Sequence, residues 1–154
     1  QVCDHGFNAA RNSFVQHYGS TELDASLLLI PLVGFLPPDD ARVLATIEAS
    51  ERELVVGGFV LRYPVETSAG VDGLPPGEGV FLACSFWPAD CLAVTGRHAQ
   101  AEELFERLLA LRNDVGLLSE EYDLGSQRVA GNFPKALSHI ALVNALLALE
   151  QHTA

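Results

Sequence analysis

The chain has 154 residues, a formal net charge of −11 and an apolar fraction of 49 %. The length suits one domain, and the negative charge argues against nucleic acid and anionic membranes as partners, because both would repel the chain. A neutral ligand such as a sugar meets no such repulsion. The high apolar fraction indicates either a large core or an apolar surface that contacts something outside the chain.

The predicted helices alternate between two types. Ala25–Phe35, Val80–Val94 and Pro134–Leu149 are apolar on nearly all sides, whereas Ala41–Leu54 and His98–Leu111 carry one apolar stripe. Such alternation predicts an all-α fold with two concentric layers, in which the inner helices are covered all round and the outer ones face water. A solenoid or an α/α toroid would both produce it, and the lack of a strict repeat weakens the solenoid. Five helices do not close a ring.

Two long loops precede inner helices, at residues Val65–Gly79 and Asn113–Phe133. In a two-layer toroid these connections lie at the same end, so their polar side chains can converge on one pocket. The first loop holds Glu78 between Gly77 and Gly79, and glycines let the backbone pass close to a ligand. The alternative is a flexible acidic loop.

In the second loop, Ser119, Glu120 and Glu121 follow the apolar pair Leu117–Leu118. A carboxylate beside an apolar anchor can be held rigidly, as a general base requires. The alternative interpretation is two surface carboxylates, which are common on loops.

Trp87 and His139 are the other candidates for a sugar pocket. An aromatic face suits a sugar ring, although most aromatic side chains at helical spacing pack in the core. His139 follows Ser138 in the last helix, where a hydrogen-bonded structural histidine is the default. No His, Cys and carboxylate spacing predicts a metal site, no phosphate-binding glycine motif occurs, and we expect no cofactor.

The cysteines and the apolar segments bear on location. Cys3, Cys84 and Cys91 form no C-x-x-C pair, which favours free thiols in a reducing, cytoplasmic setting. The longest apolar stretch has 12 residues, fewer than the roughly 20 that span a bilayer. The chain begins at Gln1, and its first residues look like the end of a helix, which indicates a piece of something longer.

Five runs of residues carry a family resemblance: SFVQHYG at 13–19, LDASLLLIPLVG at 23–34, GLPPGEGVFLACSFW at 73–87, FERLLALRNDVGLLSEEYD at 105–123 and GNFPKALSH at 131–139. In this order they resemble the C-terminal part of bacterial family-15 glycoside hydrolases, which include glucoamylase-like and trehalase-like enzymes. The resemblance implies an (α/α)6 toroid. It also implies hydrolysis of α-glucosidic bonds with inversion, using two carboxylic acids. Trehalose, maltooligosaccharides, isomaltose-type linkages and dextrans all stay open as substrates.

The resemblance also implies residue roles. The family's base loop matches Leu118–Glu121, so Glu120 is the expected general base and Glu121 the reserve. Around it we expect a substrate pocket formed by Glu78, Trp87, Glu121, Tyr122 and His139.

The family's general acid lies in a segment resembling Gly-Ile-Trp-Glu followed by Arg, which this chain lacks. Residues 1–154 are therefore expected to be the C-terminal part of the catalytic domain, completed by the missing N-terminal part or by a second copy. The other interpretations are a non-catalytic half-toroid that binds sugar or protein, and an inactive fragment.

Two residues depart from the family pattern. Pro88 stands inside a helix where members usually have an aliphatic residue, and Lys135 replaces a usual glutamine. A charge at Lys135 could alter substrate preference or simply point to water.

Overall fold

The computed structural model describes residues 1–64 and 79–152, with the side chain of residue 152 left aside. The chain divides into two compact units, Gln1–Pro76 and Gly77–Ala154. The described residues are about half helical, with several short strands. The helical character predicted from the sequence is therefore confirmed, but the description all-α leaves out these strands.

The first unit combines short elements with one long helix. In chain order these are α1 (Val2–His5), β1 (Phe7–Asn8), β2 (Ser13–Phe14), a 3-10 turn (Ala25–Leu28), α2 (Leu29–Leu32), α3 (Ala41–Leu54), β3 (Val55–Val56) and β4 (Phe59–Val60). The strand pairs β1–β2 and β3–β4 are both antiparallel.

Helix α3 has the predicted amphipathic form. It begins after Asp40, whose carboxylate accepts a hydrogen bond from the Arg42 backbone N–H at 2.9 Å and so satisfies one free donor of the first turn. Its buried side chains include Val43, Ile47 and Leu54.

The predicted helix over Ala25–Phe35 is not continuous. A 3-10 turn leads into α2, which ends at Leu32, and Val33 and Phe35 are exposed. The reason is local, because Pro31 has no N–H with which to bond the carbonyl four residues earlier. Gly34 then adopts a φ of 70°, a left-handed conformation that commonly terminates helices.

The second unit packs three helices beside a small sheet. Its elements are β5 (Val80–Phe81), α4 (Leu82–Val94), α5 (His98–Leu109), β6 (Glu121–Asp123), β7 (Arg128–Ala130) and α6 (Ala136–His152). The sheet order is β5–β6–β7, with antiparallel neighbours. Helix α4 packs against both α5 and α6, and it continues through Pro88.

Helices α4 and α6 are both apolar in sequence, yet they differ in burial. Nearly every residue of α4 is buried. In α6 the side chains of Ser138, Ala141 and Ala145 are buried, whereas five large apolar side chains are 40–57 % exposed: Leu137, Ile140, Val143, Leu146 and Leu147. The expectation of all-round burial therefore holds for α4 and not for α6 within this chain. None of the helices in residues 1–64 and 79–152 is long and apolar enough to cross a membrane.

Candidate active site

The candidate base Glu120 lies immediately before strand β6, at an irregularity of the sheet. Glu121 pairs with Ala130, but the Glu120 backbone N–H donates to the carbonyl of Asn132 at 2.9 Å. Both Gly131 and Asn132 thus lie opposite Glu120, which is the arrangement of a β-bulge. Gly131 has a φ of 72°, as expected for a glycine in a bulge. Bulges redirect side chains and are frequent beside active sites.

Three donors hold the Glu120 carboxylate. The backbone N–H and the side-chain amide of Asn132 donate to Oε2 at 3.0 and 2.7 Å. The ammonium of Lys135 donates to Oε1 at 2.6 Å. The Glu120 side chain is 15 % exposed and that of Lys135 is 30 % exposed. The carboxylate is therefore fixed in one orientation and still reaches solvent.

These contacts favour the ionised form of Glu120. The hydrogen bond from the Lys135 ammonium lowers the pKa of its carboxyl, and the Asn132 backbone N–H lowers it further. Burial acts in the opposite direction but is outweighed. A carboxylate that stays ionised is ready to accept a proton, as a general base must.

The start of α6 holds the Glu120 segment in place. The Lys135 backbone N–H donates to the carbonyl of Leu118 at 3.0 Å, and the buried hydroxyl of Ser138 donates to the carbonyl of Ser119 at 2.8 Å. His139 Nε2 accepts from the Leu118 N–H at 3.2 Å. Because Nε2 accepts, Nδ1 carries the proton and donates to the Lys135 carbonyl at 2.8 Å. Both ring nitrogens of His139 thus bind backbone, and a substrate contact from this residue stays a prediction.

Glu121 points away from Glu120, because successive residues of a strand face opposite sides of a sheet. Its Oε2 accepts a hydrogen bond from the Gly79 backbone N–H at 3.0 Å. A Cβ at Gly79 would lie 2.7 Å from the carbonyl oxygen of Tyr122. The glycine therefore permits a close approach of two protein backbones, where the sequence suggested an approach to a ligand.

The remaining predicted pocket residues are placed as follows. Tyr122 is half-buried in β6, between Val80 and Val129 of the neighbouring strands. Trp87 is half-buried on α4, in contrast to most of that helix. Glu78 lies outside the described residues. A role of these residues in substrate binding stays a prediction.

Asn132 and Lys135 are the functional candidates that spacing alone does not single out. They lie 12 and 15 residues from Glu120 in the sequence. Their signal is the run GNFPK, in which the glycine forms the bulge and the next polar residues supply the donors. Among the described residues, no group of three or more His, Cys, Asp or Glu could hold a metal ion.

Residues 1–147 match the family model described as "Glycosyl hydrolases family 15". The chain belongs to this family. Its curated relatives include a trehalase of Mycobacterium tuberculosis, 45 % identical over 146 residues, and a trehalase of Thermoplasma volcanium, 40 % identical over 151 residues. These alignments cover 95 % and 98 % of the chain. The predicted membership of glycoside hydrolase family 15 is thus confirmed.

The chain spans 21 % and 24 % of the length of these two relatives. Among solved structures, a wild-type glycosidase superposes with a TM-score of 0.77 at 24 % identity, covering 97 % of the chain and 41 % of that glycosidase. A variant glycosidase in complex with glucose gives the same values. The fold of the chain is therefore that of part of a helical glycosidase.

Proposed function

We propose that the protein containing this chain is an inverting glycoside hydrolase that cleaves α-glucosidic bonds, and that this chain supplies its general base. Family membership and the trehalase relatives support the reaction class. The observation that carries the proposal is the Glu120 carboxylate, which three donors hold in an ionised, partly exposed state. Glu120 would take a proton from a water that attacks the anomeric carbon.

We also propose that the chain folds as part of an (α/α)6 toroid, in which residues 1–154 form the C-terminal part of the catalytic domain. The exposed apolar side of α6 supports this assignment, because five large apolar side chains on one helix would be covered when further polypeptide packs there. The remainder of the same protein is the proposed covering, with a second copy as the alternative. That remainder would also supply the general acid, about 6.5–9.5 Å from the base in an inverting enzyme.

The proposed substrate is an α-glucoside, with trehalose as the first candidate. The 45 % and 40 % identical relatives are both trehalases, whereas the glycosidase structures are less similar in sequence at 24 %. Glu78, Trp87 and Tyr122 are proposed to line the sugar pocket, and no cofactor takes part in the proposed reaction.

The test is the matched pair Glu120→Gln and Glu121→Gln in the full-length protein, assayed on trehalose and on maltooligosaccharides. E120Q keeps the shape of the side chain and removes its basicity, so we expect kcat to fall about 10²–10⁴-fold with a smaller change in KM. E121Q should be milder, because Glu121 faces the other side of the sheet. Circular dichroism verifies that both variants fold.

Two further measurements complete the test. Inversion predicts that the glucose freed from an α-glucoside by attacking water is β at first, which ¹H NMR of early time points detects. The 154-residue chain alone should be inactive, because the proposed acid lies elsewhere. Near wild-type turnover of E120Q with loss in E121Q would reverse the assignment, and activity in both would refute the hydrolase role of this loop.

A further inference from the structure

We propose that Lys135 is a positioning residue that keeps the Glu120 carboxylate ionised under acidic conditions and leaves Oε1 as the oxygen that holds the attacking water. This inference rests on the proposed role of Glu120 as general base. Lys135 is assigned this role because its ammonium lies 2.6 Å from Oε1 and its side chain is only 30 % exposed.

The choice of oxygen follows from counting donors. A carboxylate offers about four lone-pair positions, two on each oxygen. Within the part of the chain that the structure describes, Oε2 accepts two hydrogen bonds, both from Asn132. Oε1 accepts one, from Lys135. The remaining acceptor position is on Oε1, so a water bound there would lie beside the ammonium.

The backbone fixes this arrangement at both ends. The Lys135 N–H bonds to the carbonyl of Leu118, and the Glu120 N–H bonds to the carbonyl of Asn132. The two side chains therefore start from backbone segments that are already joined by hydrogen bonds. Fully exposed ion pairs gain little, because water screens them, whereas the side chains of Lys135 and Glu120 are only 30 % and 15 % exposed.

The other titratable groups on the surrounding elements include Glu121, Tyr122, Arg128 and His139. Glu121 bonds to the Gly79 N–H, and both ring nitrogens of His139 bond to backbone. Tyr122 and Arg128 belong to strands β6 and β7, and Arg128 is exposed. Lys135 is the cation in direct contact with Glu120 among the described residues, so removal of its charge should act on the acid side of the activity profile.

The experiment compares Lys135→Gln, Lys135→Met and Lys135→Arg in the full-length protein, measuring kcat and KM between pH 3 and pH 8. Gln keeps a donor without charge, Met removes both, and Arg keeps the charge. With K135Q and K135M we expect the acid limb of kcat to move to higher pH, so that activity at its acid end falls about three- to tenfold relative to the plateau. K135R should restore the wild-type limb, and KM should change less than kcat.

Thermal unfolding verifies that each variant folds. If one of K135Q and K135M does not fold, the other is sufficient for the comparison. The inference would be overturned if the acid limb of kcat stayed in place in both K135Q and K135M. It would also be overturned if the limb moved as far in K135R as in K135Q. E120Q in the same assay separates the two proposals. If E120Q is inactive while the acid limb of kcat in K135Q and K135M stays where it is in the wild type, only the role of Lys135 fails. An active E120Q refutes the general base and the inference together.

Discussion

Two carboxyl groups of the second unit, Glu120 and Asp90, lie in opposite surroundings. Glu120 reaches solvent and receives three hydrogen bonds, one from an ammonium, and its pKa is lowered. Asp90 is buried in α4, its Oδ1 lacks a hydrogen-bond partner among the described residues, and burial raises the pKa of its carboxyl to about 7. The partners of the charged form, together with burial, therefore decide which form of a carboxyl group the fold favours.

The largest expected effect is on stability at Asp90. Its folded pKa of about 7 lies above the usual value of 3.8, so its contribution to stability is fully present below about pH 4 and is lost as the pH rises through 7. Three pH units correspond to roughly 4 kcal/mol at most. Urea unfolding of the full-length protein should show that the wild type loses about 2–3 kcal/mol more stability between pH 5 and pH 8.5 than Asp90→Asn does, since about two pH units separate pH 5 from the folded pKa.

Asp114→Asn provides the control, because Asp114 is exposed and its replacement should leave the pH dependence of stability as it is. If the free energy of unfolding changed equally with pH in the wild type and in D90N, Asp90 would have a partner in the complete protein. In that case the contrast with Glu120 would disappear.

The second prediction concerns the bulge that orients Glu120. A Cβ at Gly131 would lie 2.9 Å from the Glu120 Cβ and 3.1 Å from Oε2, so Gly131→Ala should displace the carboxylate. A misplacement of about 1 Å can cost about 10²-fold in rate, and we expect a loss of kcat of that size on the proposed substrate.

Gly116→Ala is the matched control for backbone strain. Gly116 has a similar φ of 84°, but an added Cβ would meet nothing within 4 Å. Both variants should lose some stability, and only G131A should lose activity beyond what its folded fraction explains. Similar activity of the two variants would show that the bulge does not set the position of the base.

The smallest expected effect belongs to Asn132. Asn132→Ala removes the 2.7 Å bond to Oε2 but keeps the bond from the backbone N–H. The carboxylate would be held less firmly and would stay paired with Lys135. We expect kcat to fall about three- to tenfold, that is by about 0.7–1.4 kcal/mol, which lies in the range of about 0.5–1.5 kcal/mol that a typical hydrogen bond contributes. The acid limb should move less than in K135Q, and a larger movement would contradict the leading role of Lys135.

Hydrophobic periodicity predicted several helices well, because the spacing of apolar residues along the chain determines them locally. The stripes of α3 and α5 and the apolar α4 follow from spacing alone. The candidate base instead came from the resemblance of the Leu118–Glu121 run to the base loop of the family. The Ala25–Phe35 segment was predicted less well, since apolarity indicates burial but not helix type, and Pro31 decides the type.

The partners of Glu120 required the structure. Lys135 appeared only as a departure from a family pattern, with its direction left open, because the contact joins residues 15 positions apart through a bulge. The burial of Asp90, and the lack of a partner for its Oδ1 among the described residues, are equally invisible in sequence, since burial depends on how α4 packs against α5 and α6. Long-range pairing thus decides the electrostatics of Glu120, and helix packing decides those of Asp90.

The hairpin between β6 and β7 has a consequence for engineering. The open end of the hairpin is held by the hydrogen bonds that surround Glu120. The tip is a separate turn, in which Asp123 accepts hydrogen bonds from Gly125 and Ser126. A change in the length of this tip would be absorbed before it reached the bulge. The tip is therefore a suitable place to graft a peptide or a fluorescent label that reports on events near Glu120 while leaving its carboxylate undisturbed.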